Sequence, residues 1–159
     1  MKKVLLVFLF ALPVLCSAQR FNVKVVGISD GDTFTGLNSD NLQLKFRING
    51  IDAPEKKQAF GNRSKEYLSS LIFGKNIVVD VQSQDNWGRF IANVYTPDGR
   101  DVSMLMIDAG MAWHFTQYDD NKDYSVAEKL AHKAKRGLWS DASPIAPWDF
   151  RAESKKKQE

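Results

Sequence analysis

Apolar and polar positions alternate along the chain from residue 21 to residue 48. In the stretch LQLKFRI (residues 42–48), the apolar side chains share one face and the polar side chains, including Arg47, share the other. This pattern is typical of half-buried β-strands, and the segments DGD and NSDN mark tight turns between them. The pattern predicts three short strands in a meander, with Arg47 pointing away from the core.

After residue 55 the apolar spacing becomes helical up to Gly74, and two more strands follow in NIVVDV and RFIANVY. A second helix is predicted over VSMLMID and ends before Gly110. A third is predicted to begin at Ser125, where Ser125 and Glu128 would form a capping box, and to stop by Gly137. This order favours a mainly β, α+β fold: a five-stranded OB-type barrel with three α-helices.

The first eighteen residues differ from the rest of the chain. Lys2 and Lys3 precede the apolar run VLLVFLFALPVL, and the small-residue stretch from Cys16 to Ala18 follows. This order is typical of a secretory signal peptide, and we expect cleavage after Ala18. A membrane anchor is the alternative, but the run is short for a span and Pro13 interrupts it. We therefore expect a secreted or periplasmic protein with no stable membrane association after cleavage.

The rest of the chain is expected to form one domain over residues 19–150 and a disordered basic tail over residues 151–159. The chain has 22 Lys and Arg against 19 Asp and Glu, and removal of the signal subtracts two lysines, which leaves a net charge of +1. Charge alone therefore supports a nucleic-acid partner only weakly. The one cysteine is also removed with the signal, so the mature protein would contain no disulfide.

The polar stretches DGDT, RINGIDAPE, DNWGR and AWHFTQY are the candidates for chemistry. Two histidines and no mature cysteine are too few ligands for a zinc site. Asp32 follows the first turn and Asp52 ends the third strand, so their carboxylates can converge on one ion if those strands pair. Pro54 keeps Ala53 extended, which could aim the Ala53 carbonyl at the same ion. Two carboxylates, a carbonyl and water make a calcium-type shell.

A carboxylate and two cations accompany this predicted metal site. Glu55 lies one position past Pro54, where it can hold a water molecule and act as a general base. Arg47 and Arg89 supply planar guanidinium groups suited to phosphate oxygens. Cleavage of a phosphodiester spreads negative charge over the non-bridging oxygens, and a divalent ion with two guanidiniums would neutralise it. The residues therefore fit phosphodiester hydrolysis.

With these residues assembled, the chain resembles the staphylococcal nuclease (thermonuclease) family from about Val23 to Trp148. The resemblance is carried by GDT, FRINGIDAPE, NWGR, GMAW and the ending AKRGLW with PWDFR. It implies a five-stranded OB-type barrel and a hydrolase: a secreted, calcium-dependent endonuclease that cuts DNA and RNA with little sugar specificity. The same resemblance implies products with 3′-phosphate ends.

The resemblance also implies a role for each candidate residue. One Ca²⁺ ion would be held by two aspartates and a backbone carbonyl, from Asp32, Asp52 and Ala53. Catalysis would use a general base and two phosphate-binding arginines, namely Glu55, Arg47 and Arg89.

Two aromatic residues are candidates for contact with nucleic acid. The best-known member of the family has a lysine and a tyrosine where this chain has Asn86 and Trp87, so phosphate steering is weaker here but Trp87 can still stack on a base. Tyr118 is the second candidate, within residues 115–118. We expect DNA and RNA substrates that are single-stranded or frayed, and a monomeric protein.

Two other classes of protein fit parts of the sequence. One is an OB-fold module that binds nucleic acid and has lost catalysis. The other is an envelope or stress protein that uses only the nuclease-like scaffold. The enzyme is favoured over both because a protein without catalysis would have no need for the whole set of polar side chains.

Overall fold

The computed structural model describes residues 19–157, so the predicted signal peptide over residues 1–18 lies outside the described residues. None of the helices in residues 19–157 is long and apolar enough to cross a membrane. These residues form seven strands and four α-helices: β1 (Gln19–Ile28), β2 (Thr33–Leu37), β3 (Gln43–Ile48), β4 (Ile51–Asp52), α1 (Gly61–Ile72), β5 (Asn76–Gln84), β6 (Phe90–Tyr95), α2 (Val102–Asp108), β7 (Trp113–His114), α3 (Lys122–Lys133) and α4 (Pro147–Lys156). A 3₁₀ helix over Gly137–Ser140 precedes α4.

Five of the strands close a barrel in the order β1-β2-β3-β6-β5. All neighbours in it are antiparallel except β3 and β6, which run parallel. Alternate side chains point into the barrel, where the buried rings of Phe34 and Phe46 stack with centroids 5.2 Å apart. The predicted α+β fold with a five-stranded OB-type barrel is therefore confirmed, and Arg47 lies on the outer face of β3 between buried Phe46 and Ile48.

The prediction of three α-helices was wrong, because α4 is a fourth among residues 19–157. Residues 151–156, which the charge pattern assigned to a disordered tail, belong to this helix. Pro147 begins the helix, a position where its missing N–H costs nothing. Trp148 anchors it by stacking on Phe115, with centroids 5.3 Å apart and ring planes within 5°. Its lysines lie in the last turn, where cations interact favourably with the helix dipole.

Helix α3 begins at Lys122, earlier than the predicted capping box, because Asn121 caps it by accepting a hydrogen bond from the Asp123 N–H. Ser125 and Glu128 bind β7 instead. The His114 backbone N–H donates to Glu128 Oε1 at 2.8 Å, and the His114 ring Nδ1 lies 3.0 Å from Ser125 Oγ. These contacts hold β7 against α3.

A short two-stranded sheet outside the barrel joins β4 to β7. Asp52 pairs with Trp113 in this sheet, and the N–H of Phe115 donates to the Gly50 carbonyl at 2.9 Å. Gly50 has a φ of 75°, a left-handed conformation that glycine adopts without penalty, in the turn from β3 into β4. Because the pairing is antiparallel, the sheet places the segment after β7, which includes Tyr118, beside the turn that leads into β4.

Candidate active site

A cavity of about 730 Å³ is lined by the ends of β3, β4 and β6 and by the loops next to them. All eight residues that the sequence analysis singled out line this cavity: Asp32, Arg47, Asp52, Ala53, Glu55, Trp87, Arg89 and Tyr118. The structure thus brings the whole predicted set together. Their chemical roles stay predictions.

Arg47 connects the two aspartates that we expect to bind the metal ion. Its Nη2 donates to Asp52 Oδ1 at 2.9 Å, and its Nη1 lies 3.5 Å from Asp32 Oδ2. Thr33 is paired with Arg47 across β2 and β3, which puts the preceding residue, Asp32, next to the guanidinium. The two carboxylates therefore lie on the same side of the barrel, as a shared ion requires.

Asp32 is held in place by its neighbours and is only 6% exposed. Its Oδ1 accepts a hydrogen bond from Thr33 Oγ1, and its Oδ2 accepts one from the Ala53 N–H, both at 2.9 Å. Burial raises the pKa of Asp32; the charge of Arg47 opposes this rise and that of Asp30 adds to it. A buried carboxylate of this kind is stabilised in its charged form by a nearby cation.

The residues that line the cavity fit a hard divalent cation. Asp52 is 1% exposed, and carboxylate oxygens are the ligands that calcium prefers. The lining contains five carboxylates and three guanidiniums, which leaves a formal charge of −2: Asp30, Asp32, Asp52, Glu55 and Asp85 against Arg47, Arg89 and Arg151. Residues 19–157 hold no group of three or more His, Cys, Asp or Glu side chains arranged for a metal ion. The Ala53 carbonyl and water stay the predicted ligands beside Asp32 and Asp52.

Arg151 of α4 also enters the cavity, and the sequence analysis missed it. Its Nη2 donates to Asp52 Oδ2 at 2.7 Å, and its Nη1 donates to Glu55 Oε1 at 2.8 Å and to Asp52 Oδ1 at 3.2 Å. The hydrogen bonds that Arg151 donates to Asp52 raise the pKa of Arg151, so its guanidinium stays charged. The signal in the sequence was PWDFR, in which a proline and two aromatic residues mark the start of a packed helix.

Arg89 immediately precedes β6 and is fixed by Asp85. Its Nε donates to Asp85 Oδ2 at 2.7 Å, while Asp85 Oδ1 accepts hydrogen bonds from the backbone N–H groups of Trp87 and Arg89 at 2.9 Å. Desolvation by itself would raise the pKa of Asp85, but these hydrogen bonds outweigh that effect, so the pKa is lowered. Within the described residues the two Nη atoms of Arg89 have no hydrogen-bond partner. They are therefore available to an anionic ligand.

Trp87 and Tyr118 present large aromatic surfaces at the cavity, with 81% and 72% of each residue exposed. The guanidinium carbon of Arg89 lies 5.4 Å from the centroid of the Trp87 ring. Tyr118 packs edge-on against Phe115, with centroids 4.8 Å apart. Exposed aromatic rings beside a set of arginines are suited to stacking on nucleic-acid bases.

The chain is similar to known proteins over most of its length. Residues 45–141 match the family model described as "Staphylococcal nuclease homologue". A protein of Escherichia coli O157:H7 named "Uncharacterized endonuclease" is 41% identical over 147 residues, which cover 92% of this chain and 94% of that protein. A Haemophilus influenzae protein of the same name is 39% identical over 94% of this chain and 84% of its own length. The "Probable staphylococcal-like nuclease CAN2" of Oryza sativa subsp. japonica is 32% identical over 89% of this chain and 36% of its own length.

Proposed function

This chain belongs to the staphylococcal nuclease family, and from that premise we propose that it is a calcium-dependent endonuclease that hydrolyses DNA and RNA. The observation that carries the proposal is the pairing of Arg47 with both Asp32 and Asp52 in a cavity that Glu55 and Arg89 also line. The endonuclease names of the similar bacterial proteins support nuclease activity as such.

Asp32, Asp52 and the carbonyl of Ala53 would hold one Ca²⁺ ion, which when bound neutralises charge on the phosphate. Arg47 and Arg89 bind the non-bridging oxygens of the scissile phosphate. Arg47 is already oriented by the two aspartates and Arg89 by Asp85, so neither side chain has to be reorganised as negative charge develops. Preorganised donors of this kind stabilise the transition state more than the bound substrate.

The Glu55 carboxylate is partly exposed and lines the same cavity. It accepts a proton from a water molecule while the water oxygen forms a bond to phosphorus. The bond between phosphorus and O5′ breaks, O5′ takes up a proton from a solvent water molecule, and the products are a 3′-phosphate and a 5′-hydroxyl. Glu55 therefore acts as the general base in this proposal.

Trp87 and Tyr118 stack on bases beside the scissile phosphate. Stacking on an aromatic ring needs an unpaired base, so the proposed substrates are single-stranded or frayed DNA and RNA. None of the proposed contacts involves the sugar, which agrees with low discrimination between deoxyribose and ribose. We also propose that the protein acts as a monomer outside the cytoplasm, after removal of residues 1–18.

The proposal is tested by incubating the purified protein with denatured DNA and with RNA, in calcium or in excess chelator. We expect cleavage in calcium and none in chelator. The 3′ ends should block extension by a polymerase until a phosphatase removes the phosphate. A protein that binds these substrates in calcium without cutting them would instead be a binding module with an OB fold.

Replacement of Trp87 by alanine is expected to raise KM for a single-stranded oligonucleotide about tenfold and to leave kcat nearly unchanged. The reason is that stacking on one base contributes about 1–3 kcal/mol to binding and Trp87 is not in contact with the reacting atoms. Steady-state kinetics of the variant and the wild type measure this effect. Phe73→Ala is a matched control, since Phe73 is also an exposed aromatic residue but lies outside the cavity lining. An unchanged KM in Trp87→Ala would show that this ring does not contact the substrate.

A further inference from the structure

We propose that Arg151 is a positioning residue for this reaction, which holds the general base Glu55 in a fixed place relative to the metal ligand Asp52. The inference rests on the proposed function and adds α4 to the active site. The single guanidinium group of Arg151 bridges two carboxylates with different surroundings.

Asp52 is a rigid anchor for this bridge. Asp52 lies in β4 and is 1% exposed. Its Oδ1 also accepts a hydrogen bond from Arg47 at 2.9 Å. The side chain of Glu55 is 39% exposed and lies in the loop after β4. Within the described residues, Arg151 is the hydrogen-bond partner of the Glu55 carboxylate. A glutamate with no such partner would sample several rotamers, so the Arg151 bridge restricts it to one.

The position of Arg151 is itself determined by contacts around the start of α4. Trp148 stacks on Phe115 and packs edge-on against Trp113, and Arg151 follows Trp148 by three residues, about one helical turn. Gln58 adds a second link. Its Nε2 donates to the Ile145 carbonyl at 2.7 Å, and its Oε1 accepts the Glu55 N–H at 3.0 Å.

Gln58 therefore ties the backbone of the Glu55 loop to the segment before α4, while Arg151 ties the Glu55 side chain to α4 itself. Two independent contacts join the same two parts of the chain. The C-terminal helix thus acts as a support for the general base.

Direct binding of phosphate by Arg151 fits the geometry less well. Arg151 makes three hydrogen bonds to carboxylates, and its Nη1 alone donates two of them. Arg47 donates once from each Nη atom, to the Ile51 carbonyl and to Asp52, which leaves one N–H on each. The Nη atoms of Arg89 have no partner within the described residues. Arg89 is free to bind an anion, and Arg151 is already engaged. We therefore assign to Arg151 an effect on catalysis that passes through Glu55.

A double-mutant cycle tests this assignment. Arg151→Gln is expected to lower kcat about 10²-fold with KM changed less than twofold, because a misplacement of a catalytic group by about 1 Å costs that much. Glu55→Gln lowers kcat further, and the double variant Glu55→Gln/Arg151→Gln should have the same kcat as Glu55→Gln alone. Once the base is absent, a residue that acts through it has nothing left to position.

Two further variants separate positioning from charge and from general effects of the helix. Arg151→Lys should recover less than a tenth of the lost kcat, because one ammonium cannot hold two carboxylates in a fixed plane. Lys155→Gln removes an exposed cation from the same helix and should keep wild-type kcat. Thermal unfolding of every variant, followed by circular dichroism, should show a single cooperative transition.

The inference is overturned if the effects of Glu55→Gln and Arg151→Gln multiply, if Arg151→Gln changes KM alone, or if Arg151→Gln is as active as the wild type or more active. Any of these results with an active wild-type protein leaves the proposed function standing. A wild-type protein that cuts neither DNA nor RNA in calcium would refute the proposed function, and this inference with it.

Discussion

Arg89→Ala is expected to lower kcat by about 10²–10³-fold and to leave the fold intact. Loss of one preorganised donor to the developing negative charge of a transition state has an effect of this size. Arg89 is suited to the experiment because its only charged partner in the described residues is Asp85, at 2.7 Å, in a turn at the protein surface. Arg47 is less suitable, since its removal would also leave the buried carboxylates of Asp32 and Asp52 with less compensating charge.

The measurement is single-turnover cleavage of an oligonucleotide at saturating calcium, together with a thermal unfolding curve. Arg100→Ala is the matched control, because Arg100 also binds an aspartate of its own turn through Nε at 2.7 Å but lies outside the cavity lining. The control should cleave at the wild-type rate. If Arg89→Ala did so as well, Arg89 would have no part in binding the phosphate.

Asp52→Asn is expected to abolish both calcium-dependent cleavage and the stabilisation of the fold by calcium. An ion that binds only the folded state adds about 2.7 kcal/mol to the free energy of unfolding at a concentration 100 times its Kd. Asparagine has the same shape as aspartate but carries no charge and turns part of the buried group into a donor facing Arg47 and Arg151. The variant should therefore lose most of this gain, and its kcat should fall by at least about 10³-fold.

Thermal unfolding in calcium and in chelator measures the first effect, independently of any substrate. The wild type should have a higher Tm in calcium than in chelator, and Asp52→Asn should show nearly the same Tm in both. Asp98→Asn is the control, since this exposed aspartate belongs to a turn away from the cavity, and it should keep the calcium response. Were Asp52→Asn to keep it too, the metal ion would have to bind elsewhere.

The five barrel strands and the central part of the site could be predicted because both depend on short-range pattern. Alternation within β3 predicts which side of the strand Arg47 occupies, and the turn chemistry around Asp32 predicts where the strands reverse. The segment from Arg47 to Glu55 holds four of the predicted site residues within the end of β3, the short strand β4 and the loop after it. Their proximity in space follows from their proximity in the chain.

Contacts between segments that are far apart in the chain were beyond this kind of reasoning. Ser125 and Glu128 have the spacing of a capping box, but the structure uses them to bind His114 of β7. A capping box and a tertiary hydrogen bond need the same polar side chains, so local sequence cannot distinguish the two. Asn121, four residues earlier, supplies the cap instead.

By itself, the sequence determined the five barrel strands and the set of carboxylates and arginines that the cavity assembles, because periodicity, turn residues and short motifs express local conformational preferences. The tertiary structure alone decided the place of the C-terminal helix and of Arg151. Residues 148 and 151 acquire their roles only when Trp148 meets Phe115 and the guanidinium of Arg151 reaches Asp52, almost 100 residues earlier in the chain. The free energy that orders this helix comes from those distant contacts, which the run of lysines in the sequence does not indicate.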